Sequence, residues 1–205
     1  MLKFEGELPR EMYVACSGGV DSMAVLSFLA NRQAKPRAAY FNHGTAHSNS
    51  AEAFVRAYCS ANSISLVVGH VRRERRARES MEEYWRNERY AFLHALDAPV
   101  VTAHNLNDCM ETWVFSALHG DPKIIPYRNR NVIRPFRQTA KSELIEWCTQ
   151  RAIPWAEDAS NANTAYARNR IRHRIMPEAL QINPGLEKVI RKKILAESSV
   201  NRNYG

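Results

Sequence analysis

The sequence predicts an α/β fold, a parallel sheet flanked by helices, with a small helical extension at the C-terminal end. Three observations predict it. Apolar runs of strand length alternate with stretches of helical spacing, a glycine-bearing turn joins the first such run to the first helix, and the last forty residues carry helical spacing without a strand pattern.

The first run, Met12-Tyr13-Val14-Ala15-Cys16, leads into Ser17-Gly18-Gly19-Val20-Asp21-Ser22, after which Met23, Ala24, Leu26 and Leu29 give the apolar face of a helix reaching Arg32. Two adjacent glycines let the backbone turn sharply and approach an anion closely. Ser22 is read as the N-cap of the helix. Unsatisfied amides at that helix start would point at the loop, so phosphate or pyrophosphate belongs there. An ordinary strand-to-helix turn is the plainer alternative. Neither a Gly-x-x-x-x-Gly-Lys nor a Gly-x-Gly-x-x-Gly pattern occurs.

Arg37 to Phe41 reads as a second strand ending at Asn42-His43-Gly44, and Ala51 to Asn62 as a helix through Ala53, Phe54, Ala57 and Tyr58. Ser65 to His70 is a third strand. Helices of this length suit the crossovers of a parallel sheet, whose ligands sit beyond the carboxyl ends of its strands; the Ser17 loop and His43 both fall there. Val71 to Ser80 carries five arginines interspersed with Glu74 and Glu79, as a solvated loop or as a phosphate-contacting one. A helix from Met81 to about Ala95 puts Arg86, Arg89 and Tyr90 on one face. Pro99 to Thr102 is a fourth strand, delivering His104 at its carboxyl end.

Beyond it, Asn107 or Asp108 would cap a helix running to Gly120. Asp108 and Glu111, three apart, would share a face beside the phosphate loop, a pair suited to magnesium or to a cationic amine, or else simple capping. Val132-Ile133 forms a last short strand leading to Arg134. Lys141 to Arg151 is a helix with Leu144, Ile145, Trp147 and Cys148 inward; Glu157 to Asn163 is a polar turn. Ala165 to Ile175 is helical and brings Arg168, Asn169 and Arg172 together. Pro177 and Pro184-Gly185 then bracket the end of one helix and the start of another, from Leu186 to Glu197. The resulting division is a nucleotide-binding unit over residues 1–135 and a basic extension over 136–205.

A chain of 205 residues with 45% hydrophobic content can bury a sizeable core. No stretch approaches the roughly 20 apolar residues of a membrane helix, and no secretory pattern opens the sequence, so a cytoplasmic protein without membrane contact is expected. Cys16, Cys59, Cys109 and Cys148 form no C-x-x-C pair, which argues against a disulfide framework or zinc knuckle. Net charge is +8; from Tyr166 onward nine Lys/Arg oppose three Glu, a net of +6, so the terminal region is the expected polyanion-facing surface.

Ser-Gly-Gly-x-Asp-Ser resembles the PP-loop of the N-type ATP pyrophosphatases, which cleave ATP to AMP and pyrophosphate while adenylating a substrate oxygen. Several separated stretches together resemble one branch, the tRNA(Ile)-lysidine synthetases. They are Ser17 to Ser22, Phe41-Asn42-His43-Gly44, Arg86 with Arg89-Tyr90, Ala103-His104 with Asp108 and Glu111-Thr112, Arg134-Pro135, Lys141, Asp158 with Ser160-Asn161, and Arg168-Asn169 with Arg172. The resemblance implies a Rossmann-like PP-loop fold and ATP with Mg2+ as cofactors. It implies adenylation of the wobble cytidine of an isoleucine tRNA, then attack by free L-lysine to give lysidine. It assigns catalysis to Asp21, Asp108, Glu111 and Arg134, nucleotide binding to Ser17, Gly18, Gly19, Val20, Asp21, Ser22, His43 and His104, metal to Asp21 and Asp108, and RNA contact to Arg86, Arg89, Arg168 and Arg172. A homodimer is compatible with it.

The sequence departs from the family at Asn105, Asn107 and Cys109, where a second His, a first Asp and a Gln are usual, at Thr45-Ala46 for Leu-Arg, and at His119 for Arg. Losing a carboxylate and an arginine is expected to weaken metal or phosphate binding. Relatives of this kind generally carry further C-terminal domains that grip tRNA. A tRNA thiolase and a degenerate, non-catalytic ATP- or tRNA-binding domain are the competing readings. Cys109 alone would have to serve a thiolase.

Overall fold

A computed structural model describes residues 1–32, 35–157 and 167–202, with side chains described to residue 198. Strand β1 (Glu11–Ala15) enters helix α1 (Val20–Ala30), followed by β2 (Lys35–Asn42), α2 (Ala46–Ala61), β3 (Leu66–His70), α3 (Met81–His94), β4 (Val100–Val101) and α4 (Leu106–Ala117). A short pair, β5 (Arg128–Asn129) and β6 (Val132–Ile133), precedes α5 (Lys141–Gln150). The chain then runs through α6 (Ala167–Arg170), a π-helical turn (Ile171–Ile175), α7 (Met176–Ile182) and α8 (Leu186–Arg202).

The six strands lie in the order β3-β2-β1-β4-β6-β5, parallel except for β5. From β1 the chain steps outward through β2 and β3, then returns to place β4 on the other side of β1. The β1/β4 boundary is therefore the switch point, where a crevice opens at the carboxyl ends.

Alternation along the strands decides which helix covers which face. Met12, Val14, Ala38, Tyr40, Val101 and Ile133 point into one core with α1, α2 and α5. Their neighbours Tyr13, Ala39, Val100 and Val132 point the other way, against Leu93, Tyr90 and Phe92 of α3. Helix α1 is buried from Ser22 to Leu29 because the sheet lies on one side and α5 on the other. Gly69 in β3 lets α3 close on the sheet, since a Cβ there would lie 2.5 Å from the Phe92 ring. The C-terminal helices dock on α4 through a third core: Leu106, Cys109 and Met110 meet Ile171, Met176, Leu186, Ile190 and Ile194.

Arg137 locks this arrangement. Its side chain is 0% exposed and pairs with Glu5 at 2.8 Å and Glu197 at 2.6 Å, while donating to the Ile125 carbonyl and Ser198 Oγ. It thereby ties the N-terminal segment and α8 to the end of β6.

Several boundaries differ from the expectations. Helix α1 starts at Val20 with Gly19 as N-cap, so Ser22 lies inside the first turn. Helix α2 starts at Ala46, five residues early, because Thr45 and Ser48 form a capping box whose polar residues read as loop. Helix α4 is capped by Asn105, not by Asn107 or Asp108. Pro177 occupies the first turn of α7, where its missing N–H costs nothing, and so opens a helix. Helix α8 continues past Glu197 to Arg202. Strand β5 is two exposed residues, too short for any periodicity. Among the described residues no helix is long and apolar enough to cross a membrane.

Candidate functional site

The turn after β1 is tied to itself by hydroxyls. Ser22 Oγ accepts from the Ser17 amide at 3.1 Å and donates to the Gly19 carbonyl at 2.9 Å, and it lies 3.2 Å from Ser17 Oγ. Ser22 thus shapes the loop from within. Gly18 sits at φ +87°, a conformation L side chains rarely adopt, and a Cβ there would meet Val55 at 3.4 Å. Gly19 is extended and leaves the first amides of α1 facing the carboxyl edge of the sheet.

Asp21 lies in that first turn. Its Oδ2 pairs with Lys141 Nζ at 3.6 Å, while its Oδ1 is buried with no hydrogen-bond partner among the described residues. Burial raises its carboxyl above the ordinary range, opposed by Lys141 and Arg172. Asp108, one turn into α4, accepts from the Asn105 amide at 2.9 Å and faces Arg172 at 3.6 Å. Burial, with Asp21 and Glu111 adding like charge, pushes it up to about 6 against the opposing Asn105 amide and Arg172. Glu111 takes a bidentate pair from Arg172 at 2.7 and 2.8 Å. Asp21, Asp108 and Glu111 therefore lie in one another's field, matched by Lys141 and Arg172.

On the other face of the sheet a cationic cluster surrounds His104. The His104 Nδ1 lies 2.8 Å from Thr102 Oγ1, and burial, then Arg134, Arg89, Arg86 and Arg168, push the imidazole down to about 3. Arg134 is 3% exposed; it donates to the Pro126 carbonyl and to the Tyr90 hydroxyl at 3.0 Å, and its Nε is buried without a hydrogen-bond partner among the described residues. Arg86 and Arg89 lie over the Tyr90 ring, as the helical spacing predicts. Burial alone would raise the Tyr90 phenol, but these arginines hold it below its ordinary value.

Asn42 braces the end of β2: its Oδ1 accepts from the Gly44 amide and Ser48 Oγ, and its Nδ2 donates to Asn49 and Glu52. His43 then packs between Phe41 and Trp85, its Nδ1 buried and without a hydrogen-bond partner among the described residues. Burial, with Arg89 adding, pushes it down to about 4.

The predicted residues thus fall into two groups across the switch point: Ser17 to Ser22, Asp21, Asp108 and Glu111 with Arg172, and His43, His104, Arg86, Arg89 and Arg134. Arg172 turns inward to carboxylates, and Arg168 pairs with Glu82 at 3.7 Å on the surface. Asp158, Ser160 and Asn161 lie outside the described residues. In the arginine loop Arg73 is held by Glu79 at 2.6 Å and Glu88 at 3.0 Å, leaving Arg72, Arg75, Arg76 and Arg78 exposed.

Two departures from the family pattern have local explanations. Asn105 Oδ1 accepts from the amides of Asn107 and Asp108, and Asn107 Oδ1 accepts from the Lys141 amide at 2.9 Å. Both are backbone caps, a role an amide oxygen fills as well as a carboxylate does. Lys141, one of the residues that carry the family resemblance, was given no role from the sequence; the structure sets it beside Asp21 from the start of α5. Tyr90 was read on one helix face with Arg86 and Arg89 and within the family resemblance, without a role of its own.

Residues 3–179 match a family described as PP-loop domain. Similar curated proteins named tRNA(Ile)-lysidine synthase come from Exiguobacterium sibiricum, 30% identical over 199 residues, covering 91% of this chain and 48% of that one. Another from Thermosipho africanus is 34% identical over 194 residues, covering 86% and 45%. A third, from Lactiplantibacillus plantarum, is 32% identical over 193 residues, covering 85% and 43%. The chain spans about half the length of the curated relatives it matches.

Proposed function

The chain belongs to the PP-loop domain family, and from that premise we propose that it carries the adenylating site of an ATP-dependent tRNA-modifying ligase of the lysidine type. The observation that carries the reading is the convergence of the Ser17–Ser22 loop, Lys141 and the Asp21–Asp108–Glu111 carboxylates at one carboxyl edge. The similarity to proteins named tRNA(Ile)-lysidine synthase supports the acceptor, the wobble cytidine of an isoleucine tRNA, and free L-lysine as the amine.

The loop amides and Lys141 hold the phosphate chain of ATP and stabilise charge on the departing pyrophosphate, electrostatic catalysis by groups already in place. The cytidine carbonyl oxygen attacks the α-phosphorus, and the phosphorus–oxygen bond to pyrophosphate breaks. The lysine amine then attacks the activated carbon and AMP leaves. Asp108 and Glu111 hold the ammonium of lysine, and the raised pKa of Asp108 suits it to take the proton the amine sheds. Arg134, with Arg86 and Arg89, receives an anionic group of the adenylate or of the RNA.

A magnesium ion fits the donor set, because Asp21 Oδ1 is a buried hard oxygen without a hydrogen-bond partner among the described residues and lies in the field of Asp108. Asp21 would hold it, and it would supply charge neutralisation at the phosphates. A thiolase is disfavoured: Cys109 is buried and its thiol is pushed up to about 12, chiefly by that burial.

The test is pyrophosphate release from ATP with magnesium and an unmodified isoleucine tRNA bearing a wobble cytidine, with and without lysine. Release that needs the tRNA, lysine incorporated into it, and loss of both in Asp21→Ala are expected. Pyrophosphate without lysine incorporation would keep adenylation and overturn the amine; binding of ATP and tRNA without turnover would overturn the catalytic reading.

A further inference from the structure

Away from the carboxylates, α4 and α8 border an open groove of about 530 Å³. Trp113 of α4 and Lys193 of α8 line it, and the loop after α4 contributes Pro122, Lys123, Ile124 and Pro126. Trp113 is half-buried: it packs on the core that joins α4 to α8 and shows the rest of its ring to the groove. The Lys193 ammonium stands 5.8 Å from the ring centre, the outer limit of a cation–π contact, so a flexible side chain covers the indole without sealing it. Nearby carboxylates are engaged elsewhere. Glu197 holds Arg137 at 2.6 Å, and Asp121 pairs with Lys123 at 2.6 Å in an exposed contact that a stronger anion can displace. Among the described residues Lys193 pairs with no carboxylate, and Lys188 and Lys192 are exposed on the same helix. An aromatic face left open beneath an uncompensated ammonium is unexplained by packing alone, since core rings close on apolar neighbours.

We propose that this groove seats an unpaired base of an RNA strand, stacked on Trp113, with Lys193 and Lys123 against the phosphates that flank it. The proposal rests on the RNA-acceptor reading above and adds a contact outside the adenylating site. Charge and shape choose the occupant. A single strand of RNA offers flat apolar faces joined by negative charges, which is what an indole between lysines receives, and any base can stack because each has a π-face. A purely apolar peptide would bury the Lys193 ammonium without a partner. Position supports the same occupant. Trp113 follows Glu111 by two residues, so at about 100° per residue it projects from the far side of α4, about one helix diameter, or 10–12 Å, from that carboxylate. A nucleotide in the adenylating site and another on Trp113 can therefore belong to one strand. Arg86, Arg89, Arg168 and Arg172 do not line the groove, so this contact is separate from the RNA contacts the family resemblance assigns.

The experiment measures binding of labelled single-stranded oligouridylate, of an RNA duplex and of inorganic tripolyphosphate to the wild-type chain, Trp113→Leu, Trp113→Phe and Lys193→Gln. All are checked for unchanged circular dichroism and thermal midpoint. Trp113→Leu should weaken oligouridylate about tenfold, the loss of one stacked base, and Trp113→Phe should keep most of the affinity. Lys193→Gln should reduce the slope of log affinity against log salt by about 0.7, one counterion fewer released from a single strand. Tripolyphosphate binding should stay unchanged throughout. Oligouridylate should quench the wild-type tryptophan fluorescence, and less so in Trp113→Phe. Should Trp113→Leu fail to fold, the Lys193→Gln slope and the Trp113→Phe quenching decide. Unchanged affinity, slope and quenching in the variants would overturn the groove site and leave the adenylating site standing. Equal losses for tripolyphosphate would overturn it as a general loss of structure. An equal dependence on Trp113 for the duplex would overturn the stacked base. A dimer in sedimentation that Trp113→Leu dissociates would overturn the RNA assignment in favour of a second copy. A wild type that binds ATP and neither RNA would overturn the RNA-acceptor reading and the groove site together.

Discussion

Removing Arg137 should cost the chain a large part of its stability. The guanidinium is 0% exposed, and its partners Glu5 and Glu197 are 9% and 24% exposed. Arg137→Ala would remove a cation from one buried and one partly buried carboxylate, and a donor from the Ile125 carbonyl and Ser198 hydroxyl. Breaking a buried pair by deleting one member costs about 3–5 kcal/mol, and the partial exposure of Glu197 argues for the lower end, about 3. For a domain of this size each kcal/mol moves the melting midpoint by about 2–4 °C, so a fall of about 6–12 °C is expected. Differential scanning calorimetry reads it. The triple variant Arg137→Met, Glu5→Gln, Glu197→Gln should recover most of the loss, because it removes the uncompensated charges and refills the space. A fall below about 2 °C for Arg137→Ala would refute the view that this cluster holds α8 and the N-terminal segment to the end of β6.

Lys141→Met should weaken tripolyphosphate and ATP binding by roughly tenfold in calorimetry while leaving the fold intact, the scale of one charge-assisted hydrogen bond; unchanged binding would remove Lys141 from the phosphate site. Acid should destabilise the chain through two histidines. His43 and His104 are pushed down to about 4 and about 3, while unfolded histidine titrates near 6.5, so the unfolded state binds more protons as pH falls. Their contribution is complete above about pH 6.5 and is lost below it, at up to about 1.4 kcal/mol per pH unit for each histidine. Urea denaturation between pH 7 and 4.5 should show that slope, flatter in His104→Gln; an identical slope in the variant would sink the assignment. The four cysteines are free and buried, with Cys16 and Cys148 pushed up to about 11 and Cys109 to about 12, burial being the main cause in each. A thiol reagent should label them only as fast as the chain opens, whereas rapid labelling of Cys109 in the native protein would revive the thiolase reading.

What the sequence determined by itself was whatever depends on neighbours along the chain. Continuous apolar runs at Met12 to Val14 and Ala38 to Tyr40 specified a sheet buried on both faces, helical spacing put Arg86, Arg89 and Tyr90 together, and the paired glycines marked the loop where φ +87° occurs. Tertiary structure alone decided what depends on segments brought together from a distance. Lys141 reaches Asp21 across 120 positions, Arg172 turns to Glu111 rather than to solvent, Asn107 caps a helix 34 residues on, and Arg137 joins both ends of the described chain. Arginine and lysine have long, flexible side chains, so their spacing predicts a charged surface and says nothing of which carboxylate they will meet. Hydrophobic periodicity survives folding because burial is non-directional and acts on whole faces. Ion pairs and caps require particular atoms within about 3 Å of each other, and only the packed sheet and helices bring those atoms there.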